Sequence, residues 1–167
     1  IPLPPVDFTQ PDDYVVEKVG EYARRIKKHG AIATIELMHA GAEKTPLAPD
    51  QESIGPNEEV RPNGTKVRAM TTDDMERITQ DFVICAKFAE NCGYDGVLIH
   101  GGHGFLFTQF LSPTYNKRID EYGGNLENRA RLPIMILKGI RKAMGPDFLI
   151  ELRISGDDGY EGGVTPE

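Results

Sequence analysis

The sequence is poor in cysteine: only Cys85 and Cys92 occur in 167 residues. They stand seven residues apart on one predicted helix, about 10 Å of rise and too far for a disulfide. A disulfide-stapled secreted scaffold is therefore excluded. Both cysteines are expected as reduced thiols of a cytoplasmic protein, with Cys85 a small core residue. Long hydrophobic runs are also missing; no stretch approaches the ~18 uncharged apolar residues of a membrane span. Positive charge is scarce: 19 Lys and Arg face 26 Asp and Glu, for a net charge of −7 and a pI near 5.1. This argues against nucleic-acid binding, which needs clustered cations. The one basic run, Arg24-Arg25-Ile26-Lys27-Lys28, reads as the solvated end of a helix. The start, Ile1-Pro2-Leu3-Pro4-Pro5, lacks the basic and apolar regions of a signal peptide and begins without Met, so the chain is expected to be a piece of a longer protein.

What is present is an ordinary globular composition, 39% hydrophobic and 27% charged, with abundant glycine and proline gathered in a few loops. Three helix-then-strand units follow one another. The first helix is expected over about 11–28, where Val15, Val16, Val19, Tyr22, Ala23 and Ile26 keep a 3.6-residue period. After Gly30, residues 31–37 read as a short buried strand. The second helix opens at Thr71 and Asp74, which have capping-box spacing. Its apolar face is Met75, Ile78, Phe82, Cys85, Ala86 and Ala89, and Gly93 closes it. Residues 94–99 then read as a strand. The third helix is expected over 126–144 with a bend at Pro133, stopping at Gly145-Pro146 before a strand over 148–154.

Such alternation predicts a parallel sheet covered by helices on its outer face. Long excursions, roughly 40–70 and 101–125, follow the first two strands, whereas ordinary connections in such units take ~2–6 residues. In open α/β sheets and in (β/α)8 barrels, the C-terminal strand ends are where sites are built. Polar residues collect there: Glu36 and His39 at the first, His100 and His103 at the second, and Glu151 and Arg153 on one face of the third. Charge on a buried strand is costly without a partner, so each needs a reason.

The segment His100-Gly101-Gly102-His103-Gly104-Phe105 puts two imidazoles at a strand end, where they can converge on one ligand atom, cap the strand, or sit on the surface. His39, His100, His103 and Glu36 are also a nitrogen and oxygen set that a metal could use, though no recognised metal signature accompanies them. The stretch 111–129 reads as an ordered loop in which Arg118, Asp120, Glu127 and Arg129 pair internally and Asn125 caps the third helix; an anion site at that helix start is the alternative.

Four stretches together resemble the Old Yellow Enzyme family: Glu36-Leu37-Met38-His39-Ala40-Gly41, His100 to Phe105, Leu111 to Arg131, and Glu151-Leu152-Arg153-Ile154-Ser155. That family comprises FMN-dependent NAD(P)H:flavin oxidoreductases and ene-reductases, including the 2-enoate and 2,4-dienoyl-CoA reductase branch. The resemblance spans nearly the whole chain in the right order, and its middle stretch is highly specific. It implies a (β/α)8 TIM barrel with FMN at the C-terminal mouth, of which these would be strands three to five. It implies that His100 and His103 hydrogen-bond the carbonyl oxygen of an unsaturated small-molecule substrate, polarising it for hydride from reduced flavin. It also implies that Arg153 faces the N1/O2 edge of FMN and that Glu36 binds its pyrimidine, with NADH or NADPH as the reductant.

Three residues depart from the family pattern. Glu36 replaces a glutamine, putting an acceptor-only carboxylate where an amide stands; Ala42 replaces an arginine; and Phe105, in the substrate pocket, replaces a tyrosine that donates a proton. Length departs too, since a barrel takes ~250 residues. Residues 1–167 are therefore expected to be a single segment of an FMN-binding barrel domain, incomplete at both ends and inactive alone, with any iron–sulfur cluster outside it. Two readings compete: a metal-dependent TIM-barrel hydrolase using His39, His100 and His103, and a non-catalytic segment that self-associates through exposed sheet edges. A Glu36–Arg153 ion pair that closes the site is a further expectation.

Overall fold

The computed structural model describes residues 7–44 and 52–166. The chain start discussed above, Ile1 to Pro5, lies outside the described residues. The elements, in order, are α1 (Asp13–Lys27), β1 (Thr34–Leu37), a 3-10 turn (Gly41–Glu43), β2 (Ser53–Gly55), β3 (Glu59–Val60), β4 (Lys66–Ala69), α2 (Thr72–Asn91), β5 (Gly96–Gly101), α3 (Leu106–Leu111), α4 (Leu126–Arg129), α5 (Arg131–Met144) and β6 (Leu149–Ile154).

The main sheet has the order β1-β5-β6, with both pairings parallel. Each strand lies beside the next along the chain of helix–strand units, as three neighbouring staves of a (β/α)8 barrel do. One face of this sheet is apolar. Val97 and Ile99 are fully buried there, and Ile35, Leu37 and Ile150 pack with them against the helices. The core is completed by Met75, Ile78, Phe82 and Ala86 of α2 and by Leu132, Ile136 and Ile140 of α5. On the other face, alternation and register place Glu36, Leu98, His100, Glu151 and Arg153 together.

α2 begins where its sequence says it should. Thr71 accepts from the Asp74 N–H, and Asp74 accepts from the Thr71 N–H at 2.8 Å, a full capping box. Arg68 of β4 adds a two-pronged ion pair to Asp74, at 2.7 and 3.3 Å. The Asp74 carboxyl consequently lies well below the usual carboxylate range, with Arg68 the largest cause.

Four local expectations are corrected. The third helix breaks at Ala130 rather than bending at Pro133. Pro133 has no N–H for the carbonyl four residues back and its ring would strike it, so the chain restarts at Arg131 and proline falls in the first turn, where it is tolerated. On α1, Tyr22 and Ile26 face solvent at 68% and 42% exposure, although they keep the apolar period. The helix is seated through Ala23, with Val15, Val16 and Val19 packed against the core, and through Gly20, where a side chain would meet the Cys92 carbonyl at 2.9 Å. Cys92 is the buried thiol and Cys85 only half-buried; both are unpaired, and burial raises both pKa values. Finally, the strand expected over 94–99 spans 96–101; Asp95, just before it, accepts from the Ala33 N–H and from Lys27 through its side chain.

The first long excursion contains a second sheet, β2-β4-β3. The second carries α3 and then a loop stitched down by polar side chains. Arg118 chelates Asp120 and donates to the Pro56 and Met70 carbonyls at 3.0 and 2.9 Å. Asn116 donates to the Phe110 and Tyr122 carbonyls. Internal pairing is thus as expected for Arg118 and Asp120. Arg129 instead donates to backbone carbonyls of Leu111 and Gly124, and Asn125 caps α4 through the Asn128 N–H.

Candidate active site

The open face of the main sheet ends in a chain of three hydrogen-bonded groups. His100 is the penultimate residue of β5 and is 7% exposed. Its Nδ1 lies 2.6 Å from Oε1 of Glu36 on β1, and its Nε2 lies 3.0 Å from Nδ1 of His103. The two imidazoles stack with centroids 5.0 Å apart, and Phe105 packs against His100 at 5.5 Å.

Local backbone chemistry makes this arrangement. Gly101 lets β5 approach β6, since a Cβ there would sit 2.7 Å from the Arg153 carbonyl. His103 has φ +57°, the one positive φ at a described residue other than glycine. That left-handed turn folds its ring back over His100 and is a conformation that an L residue adopts at a cost.

Gln109, which the sequence reading passed over, holds the turn in place. It is fully buried on α3, accepts from the Ala42 N–H at 2.9 Å, and donates to the Ala40 and Gly104 carbonyls at 3.1 and 2.7 Å. One amide thus ties the loop after β1 to the loop after β5. The sequence signal for it is a polar pair, Thr108 and Gln109, among Leu106, Phe107, Phe110 and Leu111 on one short helix.

The electrostatics are asymmetric. The hydrogen bond from His100 lowers the Glu36 pKa, and the charges of His100, Arg153 and His103 add to this against a desolvation penalty. Glu36 is therefore a carboxylate. Because a carboxylate only accepts, the proton between it and His100 belongs to His100 Nδ1. The expected Glu36–Arg153 ion pair is not formed; Glu36 is engaged by His100 instead. Arg153 stands opposite His100 in register, exposed, with no hydrogen bond or ion pair among the described residues. Glu151, two residues earlier, is exposed on the same face.

His39 does not join the pair. Its Nδ1 accepts from the Gly41 N–H at 3.0 Å and its carbonyl accepts from the Leu106 N–H. Burial, reinforced by Lys44 and Arg77, lowers its pKa and keeps it neutral. The three-histidine set of the hydrolase reading is thus not assembled, and among the described residues no three His, Cys, Asp or Glu side chains converge as metal ligands. No helix of the described residues is long and apolar enough to cross a membrane.

Comparison with known proteins places these features in a family. The sequence profile of the NADH:flavin oxidoreductase / NADH oxidase family matches residues 11–166. An NADH oxidase of Thermoanaerobacter brockii is 38% identical over 161 residues, covering 93% of this chain and 24% of that protein. An NADPH dehydrogenase of Geobacillus sp. (strain WCH70) is 40% identical, covering 92% of this chain and 44% of that protein. Among solved structures, a 2-naphthoyl-CoA reductase superposes with a TM-score of 0.81 at 32% identity, over 93% of this chain and 26% of that one. Morphinone reductase gives 0.77 at 26% identity, over 93% and 46%. The chain spans less than half the length of these relatives. With its parallel staves, its paired histidines at a strand end and a match over nearly its whole length, the chain belongs to the NADH:flavin oxidoreductase / NADH oxidase family, the Old Yellow Enzyme family.

Proposed function

We propose that this chain forms the histidine-bearing wall of an FMN-dependent oxidoreductase that passes hydride from NADH or NADPH to an α,β-unsaturated carbonyl or acyl compound. The observation that carries the reading is the joint placement of an unpaired Arg153 and the Glu36–His100–His103 chain on one open sheet face. The names of the relatives, an NADH oxidase, an NADPH dehydrogenase and a CoA-thioester reductase, fit this chemistry.

The donor set suits the cofactor. Arg153 offers a guanidinium with five N–H groups to an electron-rich ring edge, and Glu36 keeps Oε2 free to accept from a ring N–H. When bound, FMN supplies the two-electron carrier. Arg153 holds a positive charge where the reduced ring gathers negative charge, which favours reduction. In this reading His103 offers Nε2 to a carbonyl oxygen, with His100 backing it at His103 Nδ1, and Phe105 lines the pocket as an apolar wall without a proton to give. Residues 1–167 act as one segment of the barrel domain, with the phosphate contacts, and any iron–sulfur cluster, in other parts of the protein. The unpaired thiols suit a cytoplasmic enzyme.

The test is purification of the full-length protein. It is expected to be yellow, to release FMN on denaturation, and to bleach with NADH or NADPH; Arg153→Gln is expected to weaken FMN retention at least tenfold, about 1.4 kcal/mol. A colourless protein carrying stoichiometric zinc would overturn the reading.

A further inference from the structure

We infer that Glu36, His100 and His103 form a proton path ending at Nε2 of His103, which makes His103 the acid of this site and Glu36 the positioning residue that sets its direction. The inference rests on the proposed function, since it needs an acceptor at the histidine pair.

The argument is one of donors and acceptors. Glu36 only accepts, so His100 Nδ1 carries a proton. The contact between His100 Nε2 and His103 Nδ1, at 3.0 Å, holds one proton between two nitrogens. Two arrangements satisfy both bonds. With both rings neutral, His103 Nδ1 donates to His100 Nε2, and His103 Nε2 presents a bare lone pair. With one proton more, His100 is an imidazolium that donates to Glu36 and to His103 Nδ1, and His103 Nε2 presents an N–H. The Glu36 carboxylate balances that extra charge. Arg153 on β6 adds positive charge to the same face. Phe105, the neighbour from the following turn, offers no exchangeable proton. Buried His100 makes up the middle and exposed His103 the open end.

The step balances. After hydride has added to the acceptor, the Nε2–H bond of His103 breaks as that proton bonds the enolate. At the same time the Nε2–H bond of His100 breaks and an Nδ1–H bond of His103 forms. Both rings end neutral, Glu36 stays ionised, and the proton is replaced from water at the exposed Nε2 of His103. No electron changes hands in this step. A glutamine at position 36 can also donate, so it would not dictate the direction of the chain.

The test uses ring-nitrogen-labelled full-length protein. In the parent, His100 is expected as the Nδ1–H form with scalar coupling across the His100–His103 hydrogen bond. In Glu36→Leu the proton is expected to shift to Nε2 or to exchange between sites, and the coupling to vanish. With 2-cyclohexen-1-one as acceptor, the rate of flavin reoxidation in Glu36→Leu is expected to fall about 100-fold, the scale of lost acid catalysis. In a yellow protein, a His100 proton resting on Nε2 in the parent, or His100 signals and reoxidation rates alike in both proteins, overturns the proton path and leaves the flavin reading standing. A parent protein without flavin overturns both.

Discussion

Gln109 shows what one side chain can decide. Its amide sits in a fully buried position and satisfies one donor and two acceptors from loops 69 and 5 residues away in sequence. Replacing it with leucine leaves those backbone groups unpaired, and a buried orphan costs about 1–3 kcal/mol. Gln109→Leu is expected to lower the stability of the protein by about 2–4 kcal/mol in urea unfolding, given three such groups that relax in part. The same change frees the His103–Gly104 turn, so the His100–His103 coupling weakens with it. His39 supplies a pH signature at this scale. Its folded pKa is lowered, so below about 6.5 the unfolded chain takes up a proton that the folded protein resists. Stability is therefore expected to fall as pH drops through 6.5, and His39→Gln to flatten that limb.

Among the elements, α2 has the most secure start and the clearest test. Asp74 closes the capping box and receives Arg68 from β4, so it joins the small sheet to the helix. Asp74→Asn keeps the shape and removes the charge; a loss of about 1–2 kcal/mol is expected from the cap and the ion pair together. The sign of the pH effect follows from the depressed carboxyl. Its stabilisation is whole above the unfolded carboxylate value near 3.8 and fades as pH falls below it. Urea midpoints from pH 6 to pH 2.5 should fall more steeply for the parent than for the variant. The loop after β5 behaves as an element in its own right, because Arg118 reaches both the Pro56 and the Met70 carbonyls. Lysine cannot reproduce that fork. Arg118→Lys is expected to raise amide exchange around residues 56–57 and 117–120 while leaving α2 protected.

For the molecule as a whole, the main sheet has, among the described residues, two unpaired edges, β1 and β6, and an open face bearing Glu36, Glu151 and Arg153. Edges of this kind pair with another strand when one is offered. The 167-residue polypeptide expressed by itself is expected to self-associate with rising concentration on size exclusion, and to bind FMN weakly with no turnover. A monomer at every concentration, or tight FMN binding with quenched fluorescence, would count against these expectations.

Much of this was legible along the chain because it is local. The capping box, the three helix–strand units, the glycines of the His100–Phe105 turn and the polar strand ends all follow from neighbours a few residues apart. Side-chain alternation alone places Glu151 and Arg153 on one face. The break at Ala130 was within reach too, since the first turn is where proline is tolerated. What sequence could not rank was the choice among partners of opposite charge or matching polarity. Glu36 had Arg153 as the stronger cation on paper, yet strand register brings His100 to it instead. Tyr22 and Ile26 kept the apolar period of α1, yet only Val15, Val16, Val19 and Ala23 of that face meet the core, joined by Gly20, because seating a helix depends on the surface it meets. The direction of the histidine chain was likewise undecided until the left-handed turn at His103 brought two rings 64 and 67 residues from Glu36 into line. Propensity and pattern act over one or two turns of chain. The partner of a charged side chain is settled only when distant strands meet, and there the geometry chooses.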